Sequence, residues 1–248
     1  MCWNVFGVWM YNVTPIVVYL YNMSRGESSS LGYIWHLYYP FDHSNPAAHT
    51  FLFIFEMFGG LSSVNAMLSA DILFITMASH ISMLLRLLQV KIRRIGVSND
   101  AQIGLQDNYN TIVEVIKIHQ RLISYGNDLE HAFTVVNLLN VLLSSVNICC
   151  VVFSIVFLEP LMEISNKLFI GAALTQMGVV CWYADDIYRA SIGVADAVYE
   201  SGWYQCDPRS RRALLVMLQR SQRPLYFTAL KFKSITMMTF TSVSIYCF

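Results

Sequence analysis

Charged side chains are scarce in this chain of 248 residues. Aspartate, glutamate, lysine and arginine make up 13% of the sequence, against about 25% in typical soluble domains. Apolar residues make up 56%, and the mean hydropathy is +0.49. Because a soluble protein of this size needs more charge to cover its surface, the composition predicts a chain embedded in a membrane.

Patterns that carry chemistry are also missing from the sequence. The six cysteines form no Cys-x-x-Cys pair and lie mostly in apolar runs, as small buried hydrophobic residues do. There is no Gly-rich phosphate loop, no metal-ligand spacing and no nucleophile–base pair. Asp185 and Asp186 are adjacent carboxylates, but Arg189 beside them favours a solvated helix end over an acid–base pair. We therefore expect no enzyme activity, no metal and no cofactor.

Long apolar runs are present instead. A bilayer core takes about 20 apolar helical residues, and the sequence predicts spans at 2–24, 51–85, 132–158 and 168–188. A shorter uncharged run, 234–248, follows. The first run lacks the basic start and cleavage site of a signal peptide, so we interpret it as a span. The second is longer than a membrane is thick, so we expect it to project beyond one face.

Asp71 is a charge within the second predicted span. Ionisable residues at membrane depth indicate functional sites by default. The length of this run also allows Asp71 to lie near the inner interface, and we favour a structural pairing with a basic group there.

Lysine and arginine are distributed unevenly between the connecting segments. If successive spans alternate in direction, segments 25–50 and 159–167 share one side and hold two basic residues. The other fourteen of the sixteen basic residues lie on the opposite side. The positive-inside rule makes that side cytoplasmic. The spans at 51–85 and 168–188 then both run inward, and the last run heads outward.

Two cytoplasmic stretches have helical patterning. Apolar residues at helical spacing over 112–133 predict an extension of the span at 132–158. The most basic stretch, 199–232, has Leu214 and Leu218 on neighbouring turns. Its arginines suit acidic lipid headgroups rather than nucleic acid, and its leucines predict a face that is buried against a protein partner.

Several motifs in the sequence resemble those of insect odorant receptors, a family of seven-helix ligand-gated channels. The family pattern before the last helix is Tyr-x-Ser-x-Trp-Tyr, a basic helix, and Arg-Ser-Gln-x-Pro. It falls here on Tyr199, Ser201, Trp203, Tyr204, Arg211, Leu214, Leu215, Arg220, Ser221, Gln222 and Pro224. Three weaker matches follow in family order: Pro40-Phe41-Asp42; Ala70-Asp71 with His80; and His119-Gln120 with Leu129-Glu130 and Phe133.

The resemblance covers essentially the whole chain, from about the third helix into the seventh. It implies an all-α, polytopic transmembrane helical bundle, with about five spans here, seven in the complete family, and intracellular helical extensions. Residues 1–198 would form the bundle with its odorant-binding region. Residues 199–248 would form an intracellular anchor helix and an incomplete pore-lining helix. We therefore expect a fragment or a shortened gene product that lacks the first two helices.

The resemblance also implies candidate sites. A small odorant would bind between helices in the outer half of the bundle, mainly through apolar and aromatic contacts. The candidates are Trp9 and Asn12 on the first span, Phe55, Phe58 and Leu61 on the second, and Thr175 and Met177 on the fourth. Aromatic residues in a span also commonly pack against lipid or other helices, and that alternative stays open.

Pore and assembly residues follow from the same resemblance. The last helix lines the pore in this family, and the pore and gating candidates are Thr239, Phe240, Thr241 and Ser244. The segment before it is where subunits of the family contact each other. The assembly candidates are Trp203, Tyr204, Leu214, Leu218, Arg220, Gln222 and Pro224.

The function implied is that of an odorant receptor subunit. With the family's co-receptor it would form a hetero-oligomer, a tetramer, that gates a non-selective cation channel in the plasma membrane of olfactory neuron dendrites. Its other partners would be a small apolar odorant and the lipid bilayer. A gustatory-type receptor of the same architecture and a truncated, non-functional copy stay open. A transporter would show paired broken helices in its two halves, and the sequence has none.

Overall fold

The computed structural model describes residue 13 and residues 15–25, 46–96, 104–157, 164–229 and 233–247. Residues 15–24 are helical, and five helices follow: α1 (Pro46–Arg93), α2 (Gly104–Phe157), α3 (Ile164–Glu200), α4 (Pro208–Ser221) and α5 (Met237–Cys247). A 3-10 turn, Trp203–Gln205, precedes α4. A two-residue antiparallel hairpin, β1 (Thr228–Ala229) with β2 (Lys233–Ser234), precedes α5. Apart from this hairpin, the regular structure of the described chain is helical, as predicted.

The first two helices are much longer than a membrane is thick. α1 has 48 residues and α2 has 54, which at about 1.5 Å per residue gives roughly 70–80 Å against a hydrocarbon core of about 30 Å. Among the described residues, two segments are long and apolar enough to cross a membrane: Ala48–Arg93 and Tyr109–Cys150. The predicted extension at 112–133 continues without a break into the following span, because both belong to α2.

The chain forms two compact units. The first unit is Met1–Ile72 with Val146–Gln176, and the second unit is Leu73–Ser145 with Met177–Phe248. Large side chains that are almost completely buried make the core of the second unit: Phe74, Leu85, Ile92, Ile112, Val115, Cys181, Ile187, Val194, Leu214, Phe227 and Ile235. The Phe74 and Phe227 rings meet nearly edge to face, with centroids 5.2 Å apart. One apolar core therefore joins all five helices to the β-hairpin segment.

Polar contacts join α1 and the segment after it to α3 and its end. In chain order they connect Ser82 and Arg86 with Asp186, Gln89 with Ala190, Arg93 with Glu200, and Ile95 with Gly202. Residue numbers rise together along both partners, so α1 and α3 run parallel in this unit. The charge distribution predicted the same relative direction for the two inward spans.

α2 runs against α1. Lys91 near the end of α1 pairs with Glu114 near the start of α2, at 2.8 Å. Phe74, earlier in α1, meets Phe133, later in α2, with ring centroids 5.5 Å apart. The alternating directions α1, α2 and α3 are those expected of three successive spans.

Two glycines, Gly96 and Gly202, are in backbone contact where the segment after α1 meets the segment after α3. Gly202 donates its N–H to the Ile95 carbonyl at 2.9 Å. Gly96 has φ +82°, and a β-carbon there would lie 2.3 Å from the Gly202 carbonyl oxygen. Glycine is required at Gly96 both by the backbone angle and by the backbone contact.

Candidate functional site

The predicted ligand residues on α1 are largely accessible in the first unit. Phe55 and Phe58 are 60% and 70% exposed, and Leu61 is half-buried. Residues three apart on a helix are neighbours on its surface, so Phe55, Phe58 and Leu61 form one apolar row. Such a row offers contact area to a ligand, to lipid or to another helix. Trp9 and Asn12 lie outside the described residues.

The two predicted ligand residues on α3 have different environments. Thr175 is exposed in the first unit, and its hydroxyl donates to the Gly171 carbonyl at 2.7 Å. Met177 belongs to the second unit, where it is 6% exposed in the apolar core. Of the predicted ligand residues that the structure describes, four therefore belong to the first unit: Phe55, Phe58, Leu61 and Thr175.

A buried polar pair lies in the first unit. Asp71 is 3% exposed, and the Gln176 side-chain amide donates a hydrogen bond to its carboxylate. The sequence predicted a pairing of Asp71 with a basic group, and the Gln176 amide is one neutral partner of its carboxylate. Gln176 was missed because 105 residues separate it from Asp71 and no local pattern connects them.

Both carboxylates of the Asp185-Asp186 pair are engaged in structural contacts. Arg189 binds Asp185 at 2.7 Å, one helical turn away. Asp186 accepts from the hydroxyl of Ser82 and the guanidinium of Arg86. Both residues lie inside α3, well before its end at Glu200, so the predicted helix end is wrong. The pair instead makes contacts within α3 and with α1.

The helix α4 packs one face into the core of the second unit. Pro208 occupies its first turn, and the Asp207 carboxylate accepts from the N–H groups of Arg209 and Ser210, at 3.0 and 3.3 Å. The Ser210 side chain beside Asp207, followed by the hydrogen bonds from the N–H groups of Ser210 and Arg209, lowers the pKa of its carboxyl. The buried face consists of Ser210, Leu214, Met217 and Ser221. This spacing, along one side of the helix, fixes which residues face outward.

Beside Asp207, Cys206 is a buried thiol. Burial raises its pKa, and the neighbouring Asp207 charge acts in the same direction. A raised pKa makes the thiolate rare, so Cys206 serves as a small apolar residue at the start of α4.

Two large apolar side chains are exposed among polar residues on the side of α4 away from the core. Leu215 and Val216 are 65% and 66% exposed, and Tyr199, Trp203 and Tyr204 lie nearby in sequence at 73%, 40% and 63%. We call these five residues the α4 outer surface. A groove with a cavity volume of about 330 Å³ runs between the end of α3 and α4 and includes Tyr199, Trp203 and Leu215. Exposed apolar area of this kind is typical of interaction sites.

The predicted assembly residues divide between these two faces. Trp203 and Tyr204 lie on the α4 outer surface, whereas Leu214 is 2% exposed in the chain's own core and Leu218 packs against that core. Arg220 and Gln222 are exposed, and Pro224 is half-buried. Leu215 and Val216 were not among the candidates. Residues 213–218 are all apolar, so composition could not show which of them face inward.

The predicted pore residues lie on α5. Thr239 is 4% exposed, and Phe240 is half-buried beside α3 at Gly178. Thr241 is exposed and donates its hydroxyl to the Met237 carbonyl at 3.0 Å. Ser244 is in α5, and its side chain falls outside the described part. α5 therefore has one face against the second unit and Thr241 away from it.

Comparison with known proteins identifies the family. The family model described as 7tm Odorant receptor matches residues 1–247. This chain belongs to the odorant receptor family. Among its relatives, it is 26% identical to Odorant receptor 85b of Drosophila melanogaster over 241 residues, and 28% identical to Odorant receptor 85c over 242 residues. Each alignment covers 95% of this chain and 60% of the relative.

The fold has a solved counterpart. The olfactory receptor OR5 of the insect Machilis hrabei, in complex with eugenol, superposes with a TM-score of 0.83 at 16% identity. The match covers 99% of this chain and 61% of that chain. The predicted helical transmembrane bundle and the predicted family are thus confirmed. The chain spans about three fifths of the length of these odorant receptors.

Proposed function

We propose that the chain is an odorant-binding subunit of a ligand-gated cation channel. The family match over residues 1–247 carries this proposal. The eugenol complex of the Machilis hrabei receptor supports a small organic ligand, and α1 and α2 are apolar enough to cross a membrane. The subunit would bind a small apolar odorant within the bundle and, with a co-receptor, gate a non-selective cation pore in the plasma membrane of an olfactory neuron dendrite.

Gating requires that the odorant binds the open and closed states with different affinity. The accessible row of Phe55, Phe58 and Leu61 supplies the apolar contacts that such pockets use. The helix α5, with Thr239, Phe240, Thr241 and Ser244, would line the pore. Subunit contacts would use the α4 outer surface, which adds Leu215 and Val216 to Trp203 and Tyr204.

The test is to express the full coding sequence with a co-receptor and record currents across an odorant panel. We expect odorant-evoked cation currents, and a weaker response in Phe55→Ala and Phe58→Ala at unchanged surface level. Leu87→Ala, at an exposed apolar position near the other end of α1, is the matched control. Absence of current with every odorant, despite surface expression, would contradict the proposal. A response to tastants alone would favour the gustatory-type alternative.

A further inference from the structure

A polar cleft lies on the second unit between α2 and the segment that follows α4. Its cavity volume is about 290 Å³. Asn127 and Glu130 of α2 line one side, and Arg220, Arg223 and Tyr226 line the other. The cleft is separate from the apolar groove beside the α4 outer surface, and none of the candidate odorant residues lines it.

The two arginines in this cleft have no carboxylate partner among the described residues. Arg86, Lys91, Arg93 and Arg189 form ion pairs with carboxylates, whereas Arg220 and Arg223 form none among the described residues. Arg220 Nη1 donates to the Arg223 carbonyl at 2.9 Å, which leaves further donors on its guanidinium. Arg223 is exposed, and within the described chain its guanidinium has neither a hydrogen bond nor an ion pair. Two guanidinium groups are therefore available to an anion.

Glu130 forms no ion pair with either arginine among the described residues. Its Oε1 accepts a hydrogen bond from the Thr228 hydroxyl at 2.6 Å, and Thr134 donates to the Thr228 carbonyl at 3.2 Å. These bonds tie Glu130 to the β-hairpin side of the cleft. With two positive groups and one negative group among its lining residues, the cleft favours an anion.

The backbone that holds the arginines is fixed before any ligand binds. Leu225 donates its N–H to the buried Ser191 hydroxyl at 3.0 Å. Gly126 allows the Leu225 side chain close to α2, since a β-carbon there would lie 3.0 Å from Leu225 Cδ1. Anchoring of Leu225, two residues after Arg223, reduces the entropy lost when an anion is bound.

The position of the cleft along α2 indicates which anion would reach it. Glu130 lies just before Ala132, where the uncharged run of α2 begins. The distribution of basic residues places this end of the run on the cytoplasmic side. Lipid phosphates lie at that level of the membrane, and guanidinium groups match phosphate oxygens in two-point hydrogen bonds.

We propose that Arg220 and Arg223, with Asn127, form a binding site for a phosphate group presented at the cytoplasmic membrane surface. An anionic lipid headgroup and a soluble phosphate ester share this chemistry. Because Arg220 lies in the last turn of α4 and Arg223 follows it on the connection to α5, occupancy would stabilise the end of α4 and the beginning of that connection. The site does not depend on the chain being an odorant receptor subunit.

The test measures binding to the purified full chain in detergent. Fluorescent dioctanoyl phosphatidylinositol 4,5-bisphosphate is the lipid probe, and unlabelled inositol trisphosphate and inorganic phosphate are the soluble competitors. Displacement by inositol trisphosphate at similar concentration assigns the site to phosphate from either source. Binding of the lipid without such displacement assigns it to a headgroup held in the membrane. Absence of saturable lipid binding overturns the proposal.

Variants separate this site from general attraction to positive charge. Arg220→Gln with Arg223→Gln should weaken binding tenfold or more, because charge-assisted hydrogen bonds are lost (a factor of about ten per 1.4 kcal/mol). Arg94→Gln with Lys117→Gln removes the same charge from exposed positions outside the cleft and should change binding less than about threefold. An equal loss of lipid binding in both double variants would overturn the proposal.

A third variant acts in the opposite direction and does not depend on loss of function. Glu130→Gln removes the negative charge from the cleft and keeps an acceptor for Thr228, so binding should tighten by about threefold or more. Weaker or unchanged binding in this variant, with an unchanged thermal midpoint, would contradict an anion site. Arg220→Lys with Arg223→Lys should recover part of the affinity, because the charge is kept and the two-point geometry is lost.

Discussion

Phe55 and Phe74 lie on the same helix, α1, in opposite environments. Phe74 is 1% exposed in the core of the second unit, whereas Phe55 is 60% exposed in the first unit. The difference extends to the units as wholes. In the second unit, polar contacts and one apolar core fix α1, α2, α3 and α4 together. In the first unit, the buried apolar side chains among the described residues are Leu52, Phe53, Ile148 and Ala172.

The contrast shows that the second unit has a fixed, packed geometry and that the first unit has accessible apolar side chains. The second unit holds α4 and α5, which are the proposed assembly and pore elements, and both need defined geometry. The first unit presents the Phe55 and Phe58 rings, and accessible aromatic side chains can adapt to different small ligands.

Leu214 and Leu215 are adjacent on α4, but Leu214 is buried and Leu215 is exposed. The same substitution should therefore have very different effects on stability at the two positions. Leu214→Asp removes a buried side chain and places a carboxylate in the core, so we expect a loss of more than about 5 kcal/mol in unfolding free energy. Leu215→Asp replaces a 65% exposed side chain and should change it by about 0.5 kcal/mol or less. Thermal unfolding of the detergent-solubilised chain measures both.

The same pair distinguishes folding from assembly. Leu215→Asp should reduce co-purification with a co-receptor while the variant stays folded. Leu214→Asp should reduce the yield of folded chain itself, so its loss of assembly would say nothing about a contact. Normal co-purification of Leu215→Asp, together with a folded and assembling Leu214→Asp, would contradict the assignment of the two faces.

Sequence reasoning succeeded where one physical constraint dominates. The scarcity of charge predicted membrane helices, and the uneven basic residues predicted that α1 and α3 run parallel. It did not resolve the faces of α4, because every residue from 213 to 218 is apolar. Their orientation depends on the Asp207 cap and on packing against distant helices. The bond between Gln176 and Asp71 was missed for a related reason, since a tertiary contact leaves no local pattern.

Phe74→Ala should cost about 3–5 kcal/mol, because it leaves a cavity beside Phe133 and Phe227 that rigid neighbours cannot fill. Phe55→Ala is the matched change in the first unit and should alter stability by less than about 1 kcal/mol. The thermal midpoint of each variant, followed by fluorescence-detected gel filtration, measures the difference. Equal destabilisation by the two substitutions would remove the distinction between the units.

Alanine substitutions at Gly96 and Gly59 should change the stability of the chain in opposite directions. Gly96→Ala must hold φ +82° with a side chain, which costs about 1–2 kcal/mol, and its β-carbon would meet the Gly202 carbonyl oxygen at 2.3 Å. We therefore expect a total loss of about 2 kcal/mol or more in unfolding free energy and a looser link between α1 and α3.

Gly59 lies inside α1 with no heavy atom within 4 Å of an added β-carbon. Gly59→Ala should stabilise the chain by about 0.5–1 kcal/mol, since alanine restricts the unfolded chain and favours helix. A stabilising Gly96→Ala would show that the glycine contact does not fasten these helices, and a destabilising Gly59→Ala would show that the exposed face of the first unit is packed after all.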